Sequence, residues 1–180
     1  ARPVPAADAK PAVHPDIRPG QSIELLKELH ILTREGQLNQ DSRRKLKQVY
    51  HLYQFIEPLL AEVLAGTGDL TLADHGAGKS YLGFILYDLF LKSKEAGTVY
   101  GIETRKELVA HSRELVARLD FPRMRFLDVS VEESTGSAEL PATIDVVTAL
   151  HACNTATDDA IRFALAKQAR DYAQNNPDSV

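Results

Sequence analysis

A chain of 180 residues is long enough for one domain with a hydrophobic core and an appended helical segment. Its single cysteine, Cys153, excludes an internal disulfide and a cysteine-cluster metal site, and it favours a reducing, cytoplasmic setting. The net charge is −4, and the acidic excess lies after residue 66. This excess argues against a broad nucleic-acid surface in that part of the chain. No apolar stretch is long enough to cross a membrane.

The N-terminal third of the chain divides into an arm and a helical segment. Residues 1–20 hold five of the nine prolines without any apolar periodicity, which is typical of a flexible arm. Residues 21–66 carry apolar side chains at helical spacing and are predicted to be helical. The first helix of this segment is a short amphipathic one, from Ser22 to about Leu32.

A longer helix is predicted to follow in the same segment. Asn39 or Asp41 is expected to cap it, and it continues through about Leu64 to an end at Gly66. The first turns of this helix carry four basic side chains: Arg43, Arg44, Lys45 and Lys47. The helix dipole is positive at this N-terminal end, so it disfavours cations there. Both a solvated helix face and a contact with a substrate or phosphate group remain open for this basic turn.

From residue 67 to residue 180 the pattern changes, because short apolar strands alternate with helices. The predicted strands are Leu70–Ala73, Thr98–Ile102, Met124–Val129 and Ile144–Leu150. The predicted helices run from about Ser80 to Lys92, over Lys106–Leu119, and over Asp158–Arg170. This alternation predicts an α/β domain with a doubly wound parallel sheet that is covered by helices on both faces.

The turn after the first predicted strand contains two overlapping motifs. Gly78-Lys79-Ser80 matches the end of the phosphate-binding loop G-x-x-x-x-G-K-[ST], although Ala73 replaces the first glycine of that loop. Asp74 is expected at the strand tip, where a carboxylate would repel phosphate groups. The turn is also too tight to wrap them, so the first motif fits poorly.

The second motif in this turn is an acidic residue followed by G-x-G, which is typical of the adenosine-binding turn of methyltransferases. It fits five consecutive residues directly: Asp74, His75, Gly76, Ala77 and Gly78. The glycines let the backbone pass close to adenosyl and methionyl groups, where a Cβ atom would collide with them. A cofactor with a cationic amine and a sulfonium tolerates the nearby acid, whereas a triphosphate does not.

Acidic residues at the ends of the next two strands favour the second motif. Glu103 closes the second strand and can accept hydrogen bonds from both ribose hydroxyls, while Asp128 closes the third and can accept one from an adenine amino group. S-adenosylmethionine is therefore the predicted cofactor, and no metal is expected. The predicted site also includes three chain neighbours of these positions: Thr104, Val129 and Leu150. A nicotinamide-dependent enzyme is an alternative, but its third glycine is absent.

Two segments of the sequence resemble a known family. Leu72–Leu82 is similar to the first motif of methyltransferase-domain proteins that include poorly characterised bacterial members, and Leu150–Asp158 is similar to their H-x-C-x-x-A-T-D stretch. Related sequences occur in a eukaryotic methyltransferase-like group and, more distantly, in a tRNA ribose 2′-O-methyltransferase family. The resemblance spans about Lys45 to Ala169. The resemblance implies a Rossmann-like class I fold with visible strand order 3-2-1-4. It also implies that S-adenosylmethionine donates a methyl group to an unidentified acceptor, for which RNA is one candidate.

The same resemblance implies roles for the segment after the fourth strand, which lies beside the transferred methyl group in such folds. His151 is expected to act as a general base or to orient the nucleophile, with Asn154 or Asp158 holding it. Asn154 replaces the glycine of the tRNA enzymes, which argues against carrying over their substrate. A packed structural histidine at His151 and a helix N-terminal acid at Asp158 are the structural alternatives.

The predicted sheet has fewer strands than a complete class I methyltransferase, so the domain at 67–180 is expected to be partial. Its fourth strand would then form an exposed edge through which the chain could associate with itself. Two other functions stay open on the residues alone. One is a P-loop module that binds ATP or GTP, and the other is a non-catalytic interaction module that has kept the methyltransferase fold.

Overall fold

A computed structural model describes residues 14–77, 81–130, 133, 137–141 and 144–149 of the chain. Four parallel strands form one sheet in the described part: β1 (Thr71–His75), β2 (Thr98–Glu103), β3 (Met124–Asp128) and β4 (Val146–Ala149). Their order is β3-β2-β1-β4. The predicted Rossmann-like α/β fold and its strand order are therefore confirmed.

Helices precede and connect these strands. They are α1 (Ile23–Glu28), α2 (Gln40–Thr67), α3 (Leu82–Leu86), α4 (Lys92–Lys94) and α5 (Lys106–Leu119), and a π-helical segment (Tyr87–Leu91) joins α3 to α4. Among the described helices, none combines the length and the apolar character that crossing a membrane would need.

The first helix begins as predicted but ends earlier. The Ser22 side chain accepts a hydrogen bond from the Leu25 N–H and caps α1. The predicted end at about Leu32 is wrong, because His30 adopts a left-handed conformation with φ of 55°. The chain then folds back, and the N–H groups of Ile31 and Leu32 both donate to the Leu26 carbonyl.

The long helix α2 confirms one predicted cap and corrects its end. The Asn39 side chain accepts a hydrogen bond of 2.8 Å from the Ser42 N–H, as expected of an N-cap. Gly66 does not end the helix. Gly68 does so, because it takes a left-handed φ of 74° and its N–H donates to the Leu64 carbonyl. The four basic side chains of the first turns are exposed: Arg43, Arg44, Lys45 and Lys47.

Several strand ends differ from the predicted ones. β1 extends to His75, so Asp74 lies inside the strand and its predicted position at the tip is wrong. β4 begins at Val146 and not at Ile144. Asp145, the residue before the strand, forms two hydrogen bonds with the backbone of Thr71. The Asp145 carboxylate accepts the Thr71 N–H at 2.8 Å, and the Asp145 N–H donates to the Thr71 carbonyl at 3.0 Å. β3 ends at Asp128, one residue before the predicted end.

The N-terminal helices share one buried cluster with the sheet and with α3 and α5. One buried cluster combines side chains of both regions: Leu25 of α1, Leu52, Tyr53, Ile56 and Leu60 of α2, Leu72 of β1, and Phe84 and Tyr87 of the following helix. Burial of side chains of this size contributes about 1.5–3 kcal/mol each. The helical N-terminal segment is thus held by the hydrophobic core of the sheet.

A buried carboxylate reinforces this packing. Asp88, in the π-helical segment, accepts the Ser22 N–H with both oxygens at 3.1 Å and the Lys92 ammonium at 2.5 Å. Lys92 also donates to the Gly20 carbonyl. The predicted helix from about Ser80 to Lys92 thus contains a π-helical segment that the apolar periodicity did not indicate, and it places Asp88 against the start of α1.

Replacing Asp88 with asparagine should lower the free energy of unfolding by about 2 kcal/mol. The neutral amide presents an N–H group where an acceptor is needed, and it leaves Lys92 without its buried partner. Urea denaturation followed by circular dichroism measures the change. Asp120→Asn is the matched control, because Asp120 is exposed and asparagine tolerates its left-handed φ of 55°. Equal losses in the two variants would contradict the role of Asp88.

Candidate functional site

Two acidic residues meet at the carboxyl edge of the sheet. Glu103 ends β2 and Asp128 ends β3, and the two residues are paired in register. Glu103 is buried, with 4% exposure, whereas Asp128 is exposed. The Arg105 Nε–H donates to the Glu103 carboxylate. The structure therefore brings together the two acids that were predicted from strand ends, and one of them is buried and held in place by an arginine.

The turn after β1 lies beside this acidic pair. Gly76 has φ of 68°, a conformation that glycine adopts without steric cost, and its N–H donates to the Ile102 carbonyl at 2.9 Å. A Cβ atom built on Gly76 would meet no atom of the described residues within 4 Å, so among these residues the space next to the turn is open. Ala77 is buried behind the turn. Gly76 is thus required for the backbone conformation, and it leaves room for a ligand.

Asp74 has a different place from the one predicted. It is 1% exposed, and its carboxylate accepts the Thr148 hydroxyl at 2.8 Å and the Gly83 N–H at 3.2 Å. These bonds join β1 to β4 and to α3. A Cβ atom on Gly83 would lie 3.1 Å from Val99, so the close approach of α3 favours glycine there. Asp74 therefore stabilises the region before the turn through buried hydrogen bonds. Direct cofactor binding by Asp74 stays a prediction.

Three contacts at the site were not predicted from the sequence. Gly83 and Thr148 hold Asp74, and Arg105 holds Glu103. A signal for Arg105 was present, since a basic side chain two residues beyond a predicted ligand-binding acid can pair with it. Thr148 had no such signal, because its contact with Asp74 joins residues 74 positions apart in the chain.

His75, the last residue of β1, has a buried polar atom without a hydrogen-bond partner. The ring is half-buried, and Nδ1 is completely buried without a hydrogen-bond partner. Burial lowers the pKa of His75 below its ordinary value of 6.5, which keeps the imidazole neutral near pH 7. His75 is paired in register with Ile102 of β2 and Ala149 of β4. The end of β1 thus carries a buried, neutral imidazole next to the turn at Gly76.

Other predicted residues flank the site or fall outside the described part. Thr104 is exposed next to Glu103, and Val129 is half-buried next to Asp128. Five predicted residues lie outside the described residues, and their roles stay predictions: Gly78, Leu150, His151, Asn154 and Asp158. No cluster of three or more metal-binding side chains occurs in the described part of the chain.

Two clefts of the described residues lie away from this edge. One, of about 490 Å³, is lined by side chains of α1, the start of α2 and Arg118 of α5. The other, of about 430 Å³, is lined by residues of α5 and β3, including Arg113 and Phe126. Neither cleft includes Glu103, Asp128 or the turn at Gly76, so the candidate site is defined by the strand ends.

Comparison with known proteins gives one family match. A family model described as "Methyltransferase domain" matches residues 44–173, well over half of the chain. No curated protein matches the chain.

Solved structures with similar folds are distant from this chain. The bifunctional kinase-methyltransferase WbdD is 21% identical, with 55% of this chain and 20% of that chain covered and a TM-score of 0.43. An rRNA methylase from Streptococcus thermophilus is 12% identical, with 67% and 64% covered and a TM-score of 0.43. The C-terminal domain of a precorrin-6Y C5,15-methyltransferase from Rhodobacter capsulatus is 19% identical, with 60% and 55% covered and a TM-score of 0.35. The chain thus spans less than two thirds of each of these structures.

Proposed function

The chain belongs to the methyltransferase-domain family, and from this premise we propose that it binds S-adenosylmethionine and methylates an acceptor molecule. The observation that carries the proposal is the pair of carboxylates, Glu103 and Asp128, in register beside the open turn at Gly76. They lie at the carboxyl edge of a parallel sheet, where folds of this kind bind nucleotide-like ligands. The proposal places the adenosyl group at this edge.

The residues of the edge suit an adenosyl group. The Glu103 carboxylate can accept hydrogen bonds from the ribose hydroxyls and keep its bond with Arg105, because each carboxylate oxygen has two lone pairs. Asp128 is exposed at the neighbouring strand end and can accept a hydrogen bond from the adenine amino group. Gly76 leaves open space beside the backbone for the rest of the cofactor. The donors of the ligand thus meet acceptors of the protein.

Methyl transfer depends mainly on positioning of the two reactants. S-adenosylmethionine supplies an electrophilic methyl group attached to a sulfonium. We propose that His151 takes a proton from the acceptor or orients it, with Asn154 or Asp158 holding the ring. RNA is one candidate acceptor from the distant resemblance to a tRNA methyltransferase family, and Asn154, which replaces the glycine of those enzymes, argues against tRNA itself.

The rival phosphate-loop function is disfavoured by the position of Ala73. In that motif the first of the eight residues begins the loop that wraps the phosphates. Ala73 instead lies in the middle of β1, paired with both neighbouring strands and 2% exposed. The wrapping loop would have to begin after His75, which leaves too few residues before Lys79.

Calorimetric titration tests the proposed function. We expect S-adenosylhomocysteine, the demethylated cofactor, to bind without added magnesium, because the site presents acceptors for hydroxyl and amino groups. ATP titrated with magnesium is the control ligand, and Lys79→Ala should leave S-adenosylhomocysteine affinity nearly unchanged. Magnesium-dependent ATP binding that Lys79→Ala abolishes, together with no heat from S-adenosylhomocysteine, would overturn the proposal.

A further inference from the structure

The starting observation is the charge on the first half of α2. Residues 43–55 contain four basic side chains and no acidic one, although the chain as a whole has a net charge of −4. The four are exposed: Arg43, Arg44, Lys45 and Lys47. Arg43 lies 3.8 Å from Asp16, whereas within the described part of the chain no ion pair involves the other three. The proposed function uses none of these charges.

The arrangement of these cations is unfavourable for the helix itself. Arg43 and Lys47 are four residues apart, and Arg44 and Lys47 are three apart, so like charges are neighbours on the helix surface. Arg43 also lies in the first turn of α2, where the helix dipole disfavours a cation. A bound polyanion would relieve both effects, because it supplies the negative charge that this part of α2 lacks.

An exposed aromatic pair continues the same face of the helix. The rings of His51 and Phe55 meet edge to face, with their centres 5.1 Å apart. Phe55 is 52% exposed, which is unusual for a side chain of its size. Spacings of three and four residues place Arg44, Lys47, His51 and Phe55 on one side of the helix. These four residues form a basic–aromatic stripe that is about 16 Å long.

Single-stranded RNA suits this stripe better than other polyanions do. Lysine and arginine side chains bind the phosphates of any nucleic acid, but an exposed ring adds a surface on which a base can stack. Unstacked bases are available in the single-stranded segments and loops that RNA forms, and they are not available in a duplex. A membrane surface would need a broad apolar face, and Phe55 is the one large apolar side chain exposed on α2.

We propose that the basic–aromatic stripe of α2 binds single-stranded RNA, with Arg44 and Lys47 on phosphates and a base stacked on Phe55. This inference goes beyond the proposed function, because it assigns a ligand to a helix face that includes no residue of the cofactor edge. RNA held on this face is compatible with RNA as the methyl acceptor, and its binding can be measured without methyl transfer.

Fluorescence anisotropy with the full chain and a labelled single-stranded RNA of about 12 nucleotides tests the stripe. Replacing both cations, Arg44→Gln with Lys47→Gln, should weaken binding about tenfold or more. It should also reduce the slope of log affinity against log salt by about 1.4, since each phosphate contact of a single strand contributes about 0.7. Phe55→Ala should weaken binding about tenfold at an unchanged slope, through the loss of one stacked base, and Phe55→Trp should retain the affinity.

A matched control removes two exposed cations outside α2. Lys94→Gln with Arg125→Gln makes the same change in net charge, and it should alter neither the affinity nor the salt slope. Equal RNA affinity of the unaltered chain and the Arg44→Gln, Lys47→Gln variant would overturn the inference. Equal losses in the control pair would do so as well, because they would reflect net charge alone.

Two further ligands test the identity of the occupant. Duplex RNA of the same sequence should bind more weakly than the single strand, and equal binding that is unaffected by Phe55→Ala would rule out stacking and contradict the proposal. A labelled polyglutamate peptide that binds more tightly than RNA, and that is lost in the Arg44→Gln, Lys47→Gln variant, would assign the stripe to an acidic protein instead.

Titration with S-adenosylhomocysteine separates this inference from the proposed function. Its affinity should be the same in all the stripe variants, because they leave the carboxyl edge of the sheet intact. An unaltered chain that binds S-adenosylhomocysteine but no RNA would refute the inference alone. RNA binding without S-adenosylhomocysteine binding would refute the proposed function and leave the stripe supported.

Discussion

Replacing Glu103 with alanine is expected to weaken S-adenosylhomocysteine binding at least tenfold. The buried carboxylate is proposed to accept hydrogen bonds from both ribose hydroxyls, and each bond to a charged group contributes about 1.5–3 kcal/mol. Loss of the carboxylate also releases Arg105 from its partner and leaves a cation at the ribose position. Isothermal titration calorimetry at constant ionic strength measures the change in dissociation constant.

Two further variants make this result specific. Glu114→Ala removes an exposed acid of α5 and should leave the affinity unchanged. Glu103→Gln keeps the size of the side chain and one acceptor oxygen, so its affinity should lie between those of the unaltered chain and Glu103→Ala. Strong binding by Glu103→Ala, combined with a loss in Lys79→Ala, would reverse the expected ranking and favour the phosphate-loop function.

Replacing Gly101 with alanine is expected to destabilise the fold by about 3 kcal/mol or more. A Cβ atom on this residue of β2 would lie 2.3 Å from the Phe126 ring and 3.1 Å from the Ala77 Cβ. The Phe126 ring stacks on Phe84 with ring centres 5.4 Å apart, so it cannot move without disturbing the core. Urea denaturation measures the loss, which should appear as a lower midpoint with an unchanged slope.

Gly66→Ala is the matched control for this substitution. Gly66 lies inside α2, and a Cβ atom there would meet no atom of the described part of the chain within 4 Å. Alanine should therefore raise the free energy of unfolding by about 0.5–1 kcal/mol, because it restricts the unfolded chain and suits a helix. A Gly101→Ala protein as stable as the unaltered chain would show that the Phe126 ring can give way.

Several features of the fold and of the site were predictable because they follow from local spacing or from the alternation of strands and helices. The Asn39 cap follows from a side chain and an N–H group three residues apart. The meeting of Glu103 and Asp128 follows from the alternation of strands and helices, since parallel strands place their carboxyl ends at one edge. Sequence patterns of this kind determined the parallel sheet and the position of the acidic edge, while the strand order followed from the family resemblance.

Other features were decided only when distant segments packed together. The pattern of β1 did not show that Asp74 would lie inside the fold, because its partner Thr148 comes from β4 and a strand pattern does not identify its neighbours. The π-helical segment likewise accompanies the contact of Asp88 with Ser22. The unsatisfied Nδ1 of His75 also depends on what covers the ring. Tertiary packing decided which polar side chains near the turn are buried and hydrogen-bonded inside the fold. It did so because burial requires each polar group to find a partner among distant segments.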